Sequence, residues 1–157
     1  MKLHLVCVGR LTAPFVKQGC QLYANRLKHY LPLKITEIKE QKTGKKPNVP
    51  FILAQEGAQL LQQLSPGTFM VALDERGKSM TSKGLASLLQ QHMSAGTPEL
   101  AWVIGGPFGL SDTVRQHADY LMALSSMTMT HQMARLILLE QLYRAGTIIR
   151  NEPYHHS

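Results

Sequence analysis

"ELAWVIGGPFGLSD", Glu99 to Asp112, combines an apolar run with a cluster of glycines. Leu100 to Ile104 reads as a buried strand, and it ends abruptly in Gly105 and Gly106. Gly109, Ser111 and Asp112 follow within eight residues. Glycines at the end of a buried strand let a backbone come close to something. That something is a phosphate, another piece of chain, or a cofactor without phosphate.

The flanking sequence repeats the strand-then-loop pattern. Lys2 to Gly9 reads as an opening buried strand, and Leu33 to Ile38 alternates as a second. Phe69 to Leu73 and Tyr120 to Leu124 are further apolar strands. Between them lie helical spacings. Thr12 caps the first helix, with Pro14 in its first turn. Phe15, Gly19, Leu22, Tyr23, Leu27 and Tyr30 then share one face. Phe51 to Leu64 is a helix with Leu53, Gly57, Leu60, Leu61 and Leu64 inward, and Leu85 to His92 marks another. Ser111 caps a short helix through Ala118, and Met133 to Ile149 is a strong closing helix. Strands alternating with helices predict one α/β domain over residues 1–157, with a mainly parallel sheet flanked by helices.

Length and charge narrow the partners. The chain has 157 residues and a net charge of +7, with a pI near 9.6. That size suits one core rather than two. The balance favours an anionic partner, most often nucleic acid for a basic domain. Seven Lys or Arg fall between Arg26 and Lys46, opposed by Glu37 and Glu40 alone. Within that span Lys42, Lys45 and Lys46 sit in a polar loop and are the candidate RNA contacts. Two cysteines make neither a disulfide framework nor a metal site. No run approaches a membrane helix, and the opening residues do not read as a signal peptide. A cytoplasmic protein without metal or membrane is the expectation.

Two nucleotide motifs fail. "GKS" at Gly77 to Ser79 lacks the earlier glycine of a P-loop, because that position is Ala72. "GGPFG" lacks the spacing of a dinucleotide fingerprint. What remains is three strand ends, near Leu73, Gly105 and Leu124, where an α/β sheet binds ligands. On the closing helix His131 and Arg135 are four apart and share a face, as do Glu140 and Arg144. The last pair reads equally well as an ion pair. His131 reads equally as a cap or core residue. The tail "RNEPYHHS" reads by default as a frayed end, although Tyr154 and His155 are suited to stacking on a base and hydrogen-bonding it.

Taken in order, "LDERGK", "VIGGPFGL", "LSSMTMTHQMAR", "LLEQLYRA" and the closing "PYH" resemble the ribosomal large-subunit methyltransferase H family of SPOUT methyltransferases. The resemblance runs from "MKLHLVCVG" to the tail. It implies a C-terminal trefoil knot, S-adenosylmethionine as cofactor, and methylation of N3 of a pseudouridine in the helix 69 stem-loop of 23S ribosomal RNA. The implied partner is the assembled ribosome, and the implied assembly is a homodimer with the site at its interface. On the same ground Leu73, Gly105, Gly106, Leu124, Ser125, Ser126, Met127, Thr128 and Met129 wrap the cofactor. His155 and His131 are candidates to accept the imide proton, with Tyr154 holding His155. Arg135 and Arg144 would offset charge on the base or bind phosphate. One position departs from the family pattern: Thr130 stands where the family has proline. Two other classes compete, a non-catalytic RNA- or ribosome-binding protein that keeps the fold and a small-molecule nucleotide enzyme.

Overall fold

A computed structural model describes residues 1–156. Its strands are β1 (Lys2–Val8), β2 (Leu33–Ile38), β3 (Phe69–Ser79), β4 (Glu99–Ile104) and β5 (Tyr120–Ala123). Alternating with them are α1 (Pro14–Leu27), α2 (Val49–Gln62), α3 (Ser82–Ser94), α4 (Asp112–His117) and α5 (His131–Ile149). The sheet runs β2-β1-β4-β3-β5, and its strand pairings are parallel.

Period-two alternation sorts the strand side chains onto two faces. From β1, Leu3, Leu5 and Cys7 enter a core with Trp102 and with residues of α1, α3 and α5. Val6 and Val8 enter a second core with Leu60 of α2 and Val114 of α4. Burial on both faces is why β1 and β4 read as continuous apolar runs. Each fully buried leucine contributes about 2 kcal/mol relative to exposure.

Most expected elements are present, and the differences have local causes. The cap of α1 is Ala13, which makes no side-chain cap bond. Thr12 instead donates its backbone N–H to the side-chain oxygen of Gln132, 2.9 Å away on α5. The inward face of α1 is Val16, Cys20, Ala24 and Leu27, so Phe15 and Leu22 point outward at 65% and 45% exposure. α1 ends at Leu27, leaving Tyr30 beyond it. α2 buries Ile52, Glu56, Gly57 and Leu60, a face rotated from the leucine stripe and including a carboxyl group. β3 runs on through "DERGKS" rather than stopping at Leu73. There the register against β5 jumps between Leu73 and Lys78. Gly77 permits this, because a Cβ on it would lie 2.6 Å from the Met122 carbonyl carbon.

A polar cluster lies at the amino-terminal end of the sheet. His4 is buried, with Nδ1 3.1 Å from Glu99 Oε1 and Nε2 2.8 Å from Thr36 Oγ1. Lys2 pairs with Glu99 at 2.6 Å. Burial holds the imidazole pKa below its ordinary value, against the pull of Glu99. The unfolded chain therefore binds the extra proton first, and stability rises with pH. The contribution is complete above about pH 6.5 and is lost as pH falls toward the folded pKa. Denaturant unfolding at pH 7.5 and 5.5 should show this loss, and His4→Gln should flatten it. An unchanged slope in the variant would refute the assignment.

Candidate active site

A cavity of about 310 Å³ opens where β4 and β5 end, beside the Leu73–Arg76 stretch of β3. Its size and mixed lining suit a small-molecule ligand. Leu73, Gly105, Gly106, Leu124, Ser125, Met127, Thr128 and Met129 line it, and so does His131. Ser126 lies in the same loop, outside the lining. The structure thus brings eight of the nine expected cofactor positions to one hollow. It adds residues that the sequence reading passed over: Asp74, Glu75, Arg76, Phe108 and Arg115. The acidic pair had a visible signal, since both carboxylates directly follow an apolar strand end in "LDER".

The glycine loop is shaped first by the chain itself. A Cβ on Gly105 would lie 2.4 Å from the Gly109 carbonyl oxygen. Gly109 donates its N–H to the Gly106 carbonyl at 3.0 Å and holds φ at +80°. The backbone folds back on itself, and the outer side of that turn becomes a cavity wall. Ser111 then caps α4 by accepting the Val114 N–H at 3.2 Å.

Thr130 caps α5, its hydroxyl accepting the Met133 N–H at 3.2 Å. The helix therefore begins at His131 rather than Met133, with His131 and Ala134 lining the cavity. Replacing Thr130 with alanine should cost about 1 kcal/mol, with Thr130→Ser retaining most of it. Thermal unfolding of the two variants measures the difference. Burial lowers the His131 pKa, partly countered by Glu40, and the neighbouring Arg135 lowers it further. The ring is then neutral near physiological pH and able to accept a proton.

Arg135 does not line this cavity. It is 1% exposed, pairs with Glu37, and donates from Nη2 to the Gly9 carbonyl at 2.9 Å. Arg144 is likewise engaged, with Nε 3.1 Å from Glu140 Oε1 and the guanidinium 4.6 Å from the Tyr154 ring centroid. The tail is docked, not frayed. Tyr154 donates its hydroxyl to Glu140 Oε1 at 3.1 Å, its ring packs 4.7 Å from Tyr143, and Glu152 accepts from the Tyr30 hydroxyl. Burial raises the Tyr154 pKa, reinforced by Tyr23 and Glu140, and keeps the phenol neutral. His155 is half-buried with an unpartnered Nδ1. Glu140 lies nine residues along α5 from His131, about 13 Å of helix rise. Within one chain the tail and the cavity are therefore separate.

Lys42, Lys45 and Lys46 are exposed and enter no ion pair among the described residues. Their loop is rooted by Glu56, whose Oε1 accepts the Gln41 N–H at 3.1 Å. Oε2 of Glu56 is buried without a partner, and a Cβ on Gly106 would lie 3.2 Å from it. Burial raises this carboxyl's pKa. Among the described residues no His, Cys, Asp and Glu cluster is suited to a metal, and no helix is long and apolar enough to cross a membrane.

Comparison with known proteins agrees with this geometry. The family whose pattern matches residues 1–155 is described as "Predicted SPOUT methyltransferase". The chain is 54% identical over 156 residues to the ribosomal RNA large subunit methyltransferase H of Syntrophotalea carbinolica, covering 99% of each chain. It is 47% identical to the protein of that name from Trichlorobacter lovleyi, over 99% of this chain and 100% of the other. Among solved structures, a methyltransferase-titled protein from Bordetella pertussis superposes with a TM-score of 0.57 at 14% identity, covering 92% of this chain and 95% of that one. A methylase-family structure from Neisseria gonorrhoeae gives 0.55 at 19% identity, over 99% and 86%. These two likenesses concern the fold alone. By the family pattern and by identity along its length, the chain belongs to the SPOUT methyltransferase family, in the ribosomal RNA large subunit methyltransferase H group.

Proposed function

We propose that this protein transfers a methyl group from S-adenosylmethionine to N3 of a pseudouridine in the helix 69 stem-loop of 23S ribosomal RNA, on the assembled ribosome. The observation that carries the reading is the single cavity that gathers Leu73, the glycine turn, the Leu124–Met129 loop and His131 at the strand ends. Its chemistry fits the cofactor. Leu73, Ile104 and Leu124 offer apolar walls to an adenine, and the Glu75 carboxylate suits a cationic ligand. Arg115 is neutralised by Asp74 at 3.3 Å and by Asp112. When bound, S-adenosylmethionine supplies an electrophilic methyl on sulfur.

The chain's own residues meet the remaining demands. Neutral N3 has no free lone pair, so its proton must leave as the N–CH₃ bond forms. The neutral His131 imidazole at the cavity wall is suited to take that proton. His155 is the second candidate, with its unpartnered Nδ1. Because the tail lies apart from its own cavity, His155 and Tyr154 would serve the cavity of a second copy. The exposed Phe15 and Leu22 on α1 support such a homodimer. Lys42, Lys45 and Lys46 would bind RNA phosphate, and affinity would then fall with salt. The trefoil knot belongs to the same proposal, with residues between β3 and α5 threading it. So does location in the cytoplasm, where ribosomes are.

The test is methyl transfer from labelled S-adenosylmethionine to ribosomes lacking the modification, beside ribosomes whose target uridine was never isomerised. Strong labelling of the first and weak labelling of the second is the expected result. Equal labelling overturns the pseudouridine preference. No labelling and no cofactor binding by calorimetry overturns the enzyme.

A further inference from the structure

Three of the four phenylalanines are exposed, against the usual tendency of that side chain. Phe15 lies on the outward face of α1, and Phe51 on the first turn of α2. Phe108 differs from both, because it is 38% exposed and also lines the cavity. It sits in the turn Gly106-Pro107-Phe108-Gly109, closed by the Gly109 N–H to Gly106 carbonyl bond of 3.0 Å. Proline at the second position of such a turn presets its backbone. Gly105, packed against Gly109, blocks the turn from relaxing inward. The backbone that carries the ring is thus fixed at the cavity wall, and little backbone entropy remains to be lost on binding.

The surroundings point to what the ring meets. Met127 lines the same cavity and is 75% exposed, a second apolar group there. Arg76 lines the same cavity with its side chain mostly in solvent. Glu56 roots the Lys42, Lys45 and Lys46 loop against Gly106, so the free lysines arise beside the Phe108 turn. An exposed aromatic on a fixed turn, next to a cationic loop, is the combination with which proteins stack unpaired bases and hold their backbone.

We propose that Phe108 is a substrate-positioning residue whose ring stacks on the unpaired RNA base presented to the cavity. This rests on the reading of the protein as an RNA methyltransferase. Because the turn is held by backbone bonds, Phe108→Leu should fold normally. Its kcat/KM for ribosomes lacking the methyl group should fall about tenfold to a hundredfold, the range of a lost base stack. The sedimentation coefficient should stay the same, and S-adenosylmethionine affinity by calorimetry should fall much less than kcat/KM. A second variant, Phe108→Trp, reads stacking directly. Trp102, the one native tryptophan, is fully buried and supplies a constant background. Adding the same ribosomes should quench the new indole and leave wild-type fluorescence unchanged.

The proposal is overturned by an unquenched Phe108→Trp. Wild-type efficiency in Phe108→Leu also overturns it, as does a change of oligomeric state in that variant, which would put the ring under a second copy of the chain. If wild-type protein methylates nothing, the enzyme reading fails, while the quench still answers whether Phe108 stacks on RNA.

Discussion

Gly105→Ala is expected to destabilise the protein by about 3 kcal/mol and to weaken S-adenosylmethionine binding at least about tenfold. The new methyl group would stand 2.4 Å from the Gly109 carbonyl oxygen and 2.6 Å from its carbon. Both are backbone atoms, so no rotamer change relieves the contact. Gly109 must move, and it already holds a φ of +80° within a closed turn. Moving it opens the turn that forms one cavity wall, which couples the loss of stability to the loss of binding. Gly44→Ala is the control, since nothing lies within 4 Å of a Cβ there. That variant should stay within about 0.5 kcal/mol of wild type. Thermal unfolding and calorimetric titration of both variants make the comparison. A Gly105→Ala protein with unchanged midpoint and unchanged cofactor affinity would show that the close approach is not needed.

Arg135→Met should lower stability by about 3 kcal/mol, roughly 6–12 °C in Tm for a domain of this size. The guanidinium is fully enclosed, and its removal strips Glu37 of its partner and the Gly9 carbonyl of a donor. The Glu37 side chain is 34% exposed, so water recovers part of its loss. The cost therefore falls at the low end for a broken buried pair. Gly9 closes β1 and lies beside His131, with Nε2 3.6 Å from the place of a Cβ on Gly9. Arg135 thus acts by tying the start of α5 to the ends of β1 and β2. The unfolding midpoint tests this. A variant that keeps its midpoint but loses all turnover would return Arg135 to the chemistry.

Element order was legible because strands buried on both faces leave unbroken apolar runs, and loops leave glycine, proline and charge. β1, β2, β4 and α4 stand within a residue or two of their expected bounds. Where the reading slipped, a distant contact had overridden a local preference. Thr12 has the right chemistry for a cap, yet its hydroxyl oxygen accepts from Nε2 of Gln132, 120 residues away, at 2.8 Å. The α1 stripe through Phe15 and Leu22 has helical spacing, yet α5 meets the helix on the face of Val16 and Cys20. Glu56 sits at helical spacing from Ile52 and Leu60, but the expected inward face ran through Leu53, Gly57, Leu60, Leu61 and Leu64 instead. A carboxyl group is not read as core until its partner, the Gln41 N–H, is seen.

The strand-to-loop junctions near Gly105 and Leu124 were legible for a different reason: an α/β sheet gathers such junctions at one edge whatever the details of packing. The cofactor roles given to the residues around them rest instead on the family resemblance. The roles of the closing helix were not legible. His131, Arg135, Arg144 and the tail are close in sequence, and spacing alone allows any of them to face a substrate. Tertiary structure separates them by burial and by partner. His131 reaches the cavity, Arg135 is enclosed with Glu37, Arg144 is held by Glu140, and Tyr154 docks on the middle of α5. The sequence by itself determined a basic α/β domain with a glycine-lined hollow at its strand ends, because periodicity and turn chemistry are local. Whether Arg135 remains free to act was decided only by the fold, because its pairing and desolvation depend on Glu37, 98 positions away in the chain.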